Sequence, residues 1–447
     1  MQAFLFLESK IMFSRKDIIV LGMMIFALFL GAGNIIFPPM EGLSAGQHWE
    51  SASLGFVLTG VLMPFITLVV VAILGRGEEL TKDLPKWAGT GFLVILYLTI
   101  GSTFAMPRIT NVAYEMAWLP LGLAEDNANV RFVFSLIFNL IAMGFMIRPN
   151  TIISSVGKFM TPALLVLLIA VAITVFISPL SEIQAPSNAY ENRHSLLIGL
   201  TSGYQTMDVL AAIAFGGIVA RALSAKNVTK TKDIVKYTIS AGFVSVILLA
   251  GLYFSLFYLG ATSAAVAEGT TNGGQIFSRY VNVLFGQAGI WIMAGIIVLA
   301  SLTTLVGVTS ASADYFAKFS SRFSYPFWIA LFTTITITVS QYGLTDLLRI
   351  TIPALLLIYP VAIVLVLLQF LRKKLPSIKF TYNSTLIVTV CFSLCDSLNN
   401  VKMLPESINS LLKHFPLSSE GMAWLVPTLM MLVASIFIGK ALRKTHS

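Results

Sequence analysis

Charge is what this sequence has least of. Of its 447 residues only 11% are Asp, Glu, Lys or Arg, against 57% hydrophobic, and the mean hydropathy is +0.86. So few charges cannot cover a water-soluble body of that size. Cysteine is almost absent. Cys391 and Cys395 lie four residues apart in an apolar run, where they share a helix face and suit packing better than a disulfide. No thiol or imidazole neighbours them, so a metal pair is not expected. His48, His194, His414 and His446 fall in loops or the tail. No Gly-x-x-x-x-Gly-Lys-Ser/Thr sequence occurs, which argues against a nucleotide-driven pump. No low-complexity tract, separate soluble domain, nucleophile–base pair or metal constellation is visible, so neither an enzyme nor a resident cofactor is expected. Residues 1–7 are too short for a signal-peptide core and lack a cleavage pattern.

What fills the chain is apolar runs. About 20 residues of helix, rising about 1.5 Å each, cross a hydrocarbon core of about 30 Å. The runs divide most economically into about twelve spans, near 18–40, 51–75, 89–118, 130–147, 157–178, 195–219, 235–260, 287–313, 324–341, 343–371, 381–398 and 422–441. The expected class is an all-α polytopic membrane protein with a single transmembrane domain over 1–447. The third span holds Pro107-Arg108, and the tenth is expected to break or kink at Pro353 and Pro360.

The formal charge of +9 reports topology, not a nucleic-acid partner. Basic residues crowd every second loop: Lys10, Arg15 and Lys16; Arg76, Lys82 and Lys86; Arg148 and Lys158. The pattern continues with Arg221 through Lys236, Lys318 and Arg322, Arg372 through Lys379, and Lys440 to Lys444. The opposite loops hold only Arg131, Arg193, Arg279, Lys402 and Lys413. Both termini are therefore expected in the cytoplasm. The longer loops 178–194 and 261–287 then lie outside. The second of them, with Glu268-Gly269-Thr270-Thr271-Asn272-Gly273-Gly274, reads as a mobile polar segment with room for a short helix.

The chain is organised around residues 27–39, Ala-Leu-Phe-Leu-Gly-Ala-Gly-Asn-Ile-Ile-Phe-Pro-Pro, in the first span. Gly and Pro cost about 1 and 3 kcal/mol in a helix interior relative to Ala. In lipid the freed backbone groups find no water, so a break at depth is tolerated where it lines a cavity. The alternative is a Gly-Ala-Gly surface for close helix packing. The sixth span repeats the anomaly: Gly199-Leu-Thr-Ser-Gly-Tyr-Gln-Thr-Met-Asp208 interrupts an apolar run, with Gly203 as the expected hinge. Its alternative is a polar patch between helices. Breaks in spans one and six suggest two inverted five-span halves, 18–178 and 195–371, followed by two extra helices over 381–441. In that arrangement half-helix N-termini face a substrate carboxylate and freed carbonyls hold a cation. In the eighth span Ala300-Ser301-Leu302-Thr303-Thr304 is a hydroxyl cluster suited to a hard monovalent cation. Back-bonding of each Thr to its own helix is the competing reading.

These stretches carry a resemblance. Ala32-Gly33-Asn34-Ile-Ile-Phe37-Pro38-Pro39, Gly203-Tyr204-x-Thr206-Met207-Asp208, Leu302-Thr303-Thr304 and Ala105-Met106-Pro107-Arg108 resemble the branched-chain amino acid:cation symporters, the BrnQ-type carriers, over essentially the whole chain. That family is related to the leucine-transporter fold. Gly31-Ala32-Gly33-Asn34 is similar to its first break, Gly157-Lys158-Phe-Met-Thr-Pro162 to its fifth-span entrance, and Ala300-x-Leu302-Thr303-Thr304 to its sodium motif. The resemblance implies a multi-pass carrier of a bacterial cell membrane that imports leucine, isoleucine or valine, coupled to sodium. It implies a sodium site from Ala27, Leu30, Ala300, Thr303 and Thr304. Ala32, Gly33 and Asn34 would receive the substrate carboxylate. Gly203, Tyr204, Gln205, Thr206 and Asp208 would form the other wall. The wider sodium-symporter group often carries an Arg after the Asn of the first break. Here Ile35-Ile36-Phe37 follow, so no outer-gate residue carries over. Rival readings are proton coupling through Asp208, an exchanger, and, from another class, a channel or nutrient sensor. Neither a continuous polar pore nor a soluble output domain supports the last two.

Three further expectations concern isolated charges. Arg108 pairs structurally with Glu115 or with another span, or else serves as a gate. Asp346 and Arg349 pair on one helix face. Asp396, at the end of span eleven, is interfacial.

Overall fold

Ser14 starts the first helix by a reciprocal cap. Its hydroxyl accepts from the Asp17 amide at 3.1 Å while the Asp17 carboxylate accepts from the Ser14 amide at 3.0 Å. The structure is a computed structural model and describes residues 14–31, 33–147, 161–187, 189–191, 194–320 and 322–445. It is almost wholly helical, with no strand among the described residues. In chain order the main helices are α1 Arg15–Phe29, α2 Gly33–Ala45, α3 Trp49–Val57, α4 Met63–Leu74, α5 Lys86–Leu98, α6 Ala105–Ala113, α7 Ala128–Met146 and α8 Thr161–Ile177. There follow α9 Ser195–Ser202, α10 Asp208–Ser224, α11 Thr231–Ala261, α12 Gly273–Phe319, α13 Tyr325–Val339, α14 Leu344–Leu371, α15 Ile378–Asn400 and α16 Leu425–Thr445.

Among the described residues, seven helices are long and apolar enough to cross a membrane. The α9–α10 pair, bent by 48°, adds one more if it counts as a single span. The outward faces say the same. Val133, Ile137, Leu140 and Ile141 on α7, and Val166, Ile169 and Ile173 on α8, are all exposed. A row of exposed branched side chains suits lipid and not water.

The interior is packed through small residues. A Cβ on Gly42 of α2 would strike the Phe257 carbonyl of α11, and one on Gly260 of α11 would strike the Pro39 carbonyl of α2. The same happens between α3 and α9, where Gly55 abuts Leu196 O and Gly199 abuts Ala52 O. Those two backbone-on-backbone seams fix where the halves of the broken helices sit.

Several expectations need correction. The hinge of the sixth span is Met207, in the left-handed region at φ 62°, after a tight turn over Gly203–Thr206. Gly203 keeps an ordinary helical φ of −62°; it is small because Thr59 Oγ1 and the Phe56 carbonyl occupy the place of its side chain. Much of the 261–287 stretch is not loop. Helix runs from Gly273, capped by the Asn272 side chain on Gln275 N at 3.1 Å, and is bent at Gly286, where φ is +58°. Helix α14 runs unbroken through Pro353 and Pro360. The Ser397 hydroxyl donates to Pro353 O at 2.8 Å. Asp396 is buried, not interfacial, because the chain beyond α15 returns over it. Asp346 and Arg349 do pair, at 3.5 Å and in the open. The fifth-span entrance over 157–160 lies outside the described residues.

Candidate functional site

The first break is a change of hydrogen-bond partner. Leu30 leaves the helix at ψ 82°, and the Gly31 amide turns back to Phe29 O at 2.7 Å. The Ala27 carbonyl thereby loses the helical donor it would have had from Gly31. Helix α2 begins at Gly33; the Asn34 amide folds back to Gly31 O at 3.0 Å, and the other first-turn amides lack a helical acceptor. Pro38 and Pro39, with no N–H to give, release the carbonyls of Asn34 and Ile35 as well.

Asn34 ties the two breaks together. Its Nδ2 donates to Phe29 O at 2.8 Å and to Asp208 Oδ2 at 2.8 Å, and it also meets the Tyr253 hydroxyl. Tyr253, from α11, donates to the same Asp208 oxygen at 3.4 Å. Asp208 stands at the first position of α10, directly after the Met207 hinge, and is 3% exposed.

Arg108, from α6, comes to the same place. It is 3% exposed; its Nη1 donates to Gln205 O at 2.7 Å, and its guanidinium lies 5.3 Å from the centre of the Phe37 ring. Its Nε is buried with no partner. Glu115, the partner considered from sequence, instead takes the Leu344 amide at 3.1 Å and the Asn272 side chain at 3.3 Å. Asp208 lines the same small cavity as Arg108. A buried guanidinium with so few of its five donors used is costly unless something anionic completes it.

Between these groups lies a small cavity of about 30 Å³, bounded by Gly33, Asn34, Arg108 and Asp208 and by the apolar Ile109 and Phe215. That is room for about one water. The charged groups therefore stand close around a narrow space.

Of the residues expected to hold substrate, Gly33, Asn34, Thr206 and Asp208 line this cavity. Ala32 lies outside the described residues. Tyr204 and Gln205 line a different, larger cavity, Tyr204 with its ring stacked 4.5 Å from Tyr359. Gln205 turns its carbonyl inward to Arg108. Gly203 serves packing. Of the expected ion ligands, Leu30 and Thr304 meet: the Thr304 hydroxyl donates to Leu30 O at 3.3 Å. Thr303 returns its hydroxyl to Ala300 O at 2.9 Å, the back-bonding that competed with the ion reading. The Ala27 carbonyl, which has lost its helical donor, lies one turn before the break.

Two residues were missed as site members. Arg108 was visible as a cation inside an apolar run. Tyr253 was hidden in the aromatic run 253–258, which reads as packing surface.

Comparison with solved structures places the fold among polytopic membrane transporters. A nucleobase-cation-symport-1 family transporter, closed with bromovinylhydantoin bound, aligns over 96% of this chain and 93% of its own, with a TM-score of 0.62 and 12% identity. A Na+-coupled sialic acid symporter, substrate-bound and outward-open, aligns over 94% and 89%, with a TM-score of 0.57 and 10% identity. At such identities the likeness is one of fold alone. The sequence model of the family described as "Branched-chain amino acid transport protein" matches residues 14–442, and the chain belongs to that family. It is 96% identical to the branched-chain amino acid permease BrnQ of Haemophilus influenzae, over 98% of this chain and 100% of the relative. It is 35% identical to BrnQ of Escherichia coli K12, over 95% and 96%, and 33% identical to the permease BraB of Bacillus subtilis, over 95% and 96%. The chain is thus a BrnQ-type, multi-pass membrane transport protein, and these relatives are named permeases, not enzymes.

Proposed function

We propose that this protein is a secondary symporter that imports leucine, isoleucine and valine across a bacterial cell membrane, coupled to sodium, by alternating access about the two broken helices. The observation that carries this reading is the meeting of both breaks around one small cavity with Arg108 and Asp208 on its wall. Its wall matches a zwitterion in chemistry, though at about 30 Å³ it must widen to admit one: carboxylate between the α2 N-terminus and Arg108, ammonium towards Asp208, and aliphatic side chain against Ile109 and Phe215. Gly33 and Asn34 take part through the backbone, as the resemblance implied. The relatives' names supply the branched-chain preference, because an apolar pocket discriminates one methylene by only about 1–3 kcal/mol.

The finer architecture belongs to the same proposal. About twelve spans, inverted halves over 18–178 and 195–371, two further helices over 381–441, and cytoplasmic termini agree with the alternating basic loops. The two glycine seams support the inversion. They join spans one and seven, and spans six and two, which are exchanged when the halves are exchanged.

Labelled leucine counterflow in proteoliposomes, with sodium and proton gradients imposed separately, tests the coupling. Uptake driven by inward sodium is the expected result. Uptake driven by a pH gradient alone would overturn the sodium assignment. Asp208→Asn separates the readings further: as a binding residue its loss weakens transport under either gradient, whereas a proton carrier would lose proton-driven uptake and keep exchange.

The ion site gives a graded expectation. Thr304→Val removes the hydroxyl at the first break and should raise the sodium concentration for half-maximal uptake by about ten- to a hundredfold, the scale of about 1.5–3 kcal/mol for an ionic ligand. Thr303→Val should do less, since that hydroxyl is engaged on its own helix. Thr309→Val, whose hydroxyl sits on Leu305 O at 2.6 Å, should leave the sodium dependence unchanged. Equal sodium curves for all three variants and wild type would place the ion elsewhere. Because ion and substrate stabilise one closed state, leucine affinity at fixed sodium should fall in parallel with Thr304→Val.

A further inference from the structure

Beyond the Tyr204–Gln205 turn lies a second cavity, of about 790 Å³, between α9, α14, the end of α15 and the segment leading to α16. Its wall is of two kinds. Ile198, Ile352, Leu355 and Leu356 make one side apolar. Asp396 and Glu420 supply two carboxylates on the other, and no Lys or Arg lines it among the described residues. Asp396 is 2% exposed; one oxygen accepts from the Trp424 amide at 3.3 Å and the other, Oδ1, is buried with no partner at all. The Glu420 side chain is 6% exposed, and its partner is the more open His194, at 3.6 Å. A buried carboxylate oxygen without a donor, beside a roomy cavity, is costly unless a cation or donor visits it.

We infer that this outer cavity is a binding site for an aliphatic primary ammonium ion, separate from the cavity at the helix breaks. The ammonium has three donors, enough for Asp396 Oδ1, Glu420 and a neighbouring carbonyl. The branched alkyl part lies against Ile352 and Leu356. The two cavities share the turn between them: Tyr204 and Gln205 face the outer one, while the Gln205 carbonyl holds Arg108 on the inner side. In the proposed topology the cavity opens to the outside, so an amine held there waits at the closed turn. As a waiting place for substrate it rests on the transport reading; the amine chemistry rests on this cavity alone.

Equilibrium binding of labelled 3-methylbutylamine to the purified full-length protein tests it, because this amine lacks the carboxylate that Arg108 would need. Saturable binding is expected, with the neutral 3-methylbutan-1-ol failing to compete. Asp396→Asn should weaken the amine at least tenfold and Glu420→Gln severalfold, the second being a check should the first variant misfold. Thr309→Val, whose side chain lines neither cavity, should bind the amine as wild type does. Competition by the alcohol, or undiminished affinity in both carboxylate variants, would overturn the site. Carboxylate-dependent amine binding in a protein that takes up no leucine would leave this site standing and remove the transport reading.

Discussion

A Gly33→Val carrier is expected to reach the membrane at the wild-type level and to take up no measurable leucine. The cause is space. A Cβ built on Gly33 stands 2.7 Å from Arg108 Nη2 and 3.1 Å from its Cζ, before the two methyls of valine are added. Arg108 has little room to yield, being held on the Gln205 carbonyl and packed over Phe37. Valine would displace the guanidinium and cover the α2 amides that are to meet the substrate carboxylate. Labelled leucine uptake in proteoliposomes, normalised to reconstituted protein, measures the loss. Normal transport by a well-inserted Gly33→Val carrier would make the first break a packing feature only.

Arg108→Gln should be nearly as severe. Asp208 lines the same small cavity, and losing the charge-assisted hydrogen bonds that the guanidinium would give a substrate carboxylate costs about 1.5–3 kcal/mol. If that falls on substrate binding, leucine affinity drops by about one to two orders of magnitude. Arg108→Lys keeps the charge but not the planar fork, and should recover part of the binding. The double variant Arg108→Gln/Asp208→Asn distinguishes a structural pair from a binding one. Removing both charges should restore thermal stability in detergent while leaving uptake absent. Recovery of transport as well would show that the pair serves folding alone.

The sequence disclosed the places where helix geometry had to fail, because Gly31, Gly33, Pro38 and Pro39 declare that in composition. It did not disclose how the failures are joined. The Asn34–Asp208 bond spans 174 residues and the Arg108–Gln205 bond 97, and no periodicity reports contacts of that separation. The hinge was placed at Gly203 because glycine is the usual residue for unusual backbone. The chain put the left-handed turn at Met207, and used Gly203 to let α3 approach. The Asp396 expectation failed for a related reason. A residue at the end of an apolar run looks interfacial until the chain beyond it folds back, as it does here at Trp424. Thr303 and Thr304 are adjacent and chemically alike, yet only Thr304 reaches the first break, which depends on rotamer and neighbour and not on spacing.

The glycine seams bear on whether either part of the chain can stand alone. Gly42 and Gly260 press α2, the second part of the first broken helix, onto α11, and Gly55 and Gly199 press α9, the first part of the second, onto α3. Each half of the molecule thus lays its interrupted helix on a surface that only the other half provides. A half alone would leave those close-packed glycine faces without the helix they fit against. Each half is therefore expected to need the other for its packing. The fragments 14–191 and 194–445, expressed separately, should be degraded, and expressed together they should rescue one another.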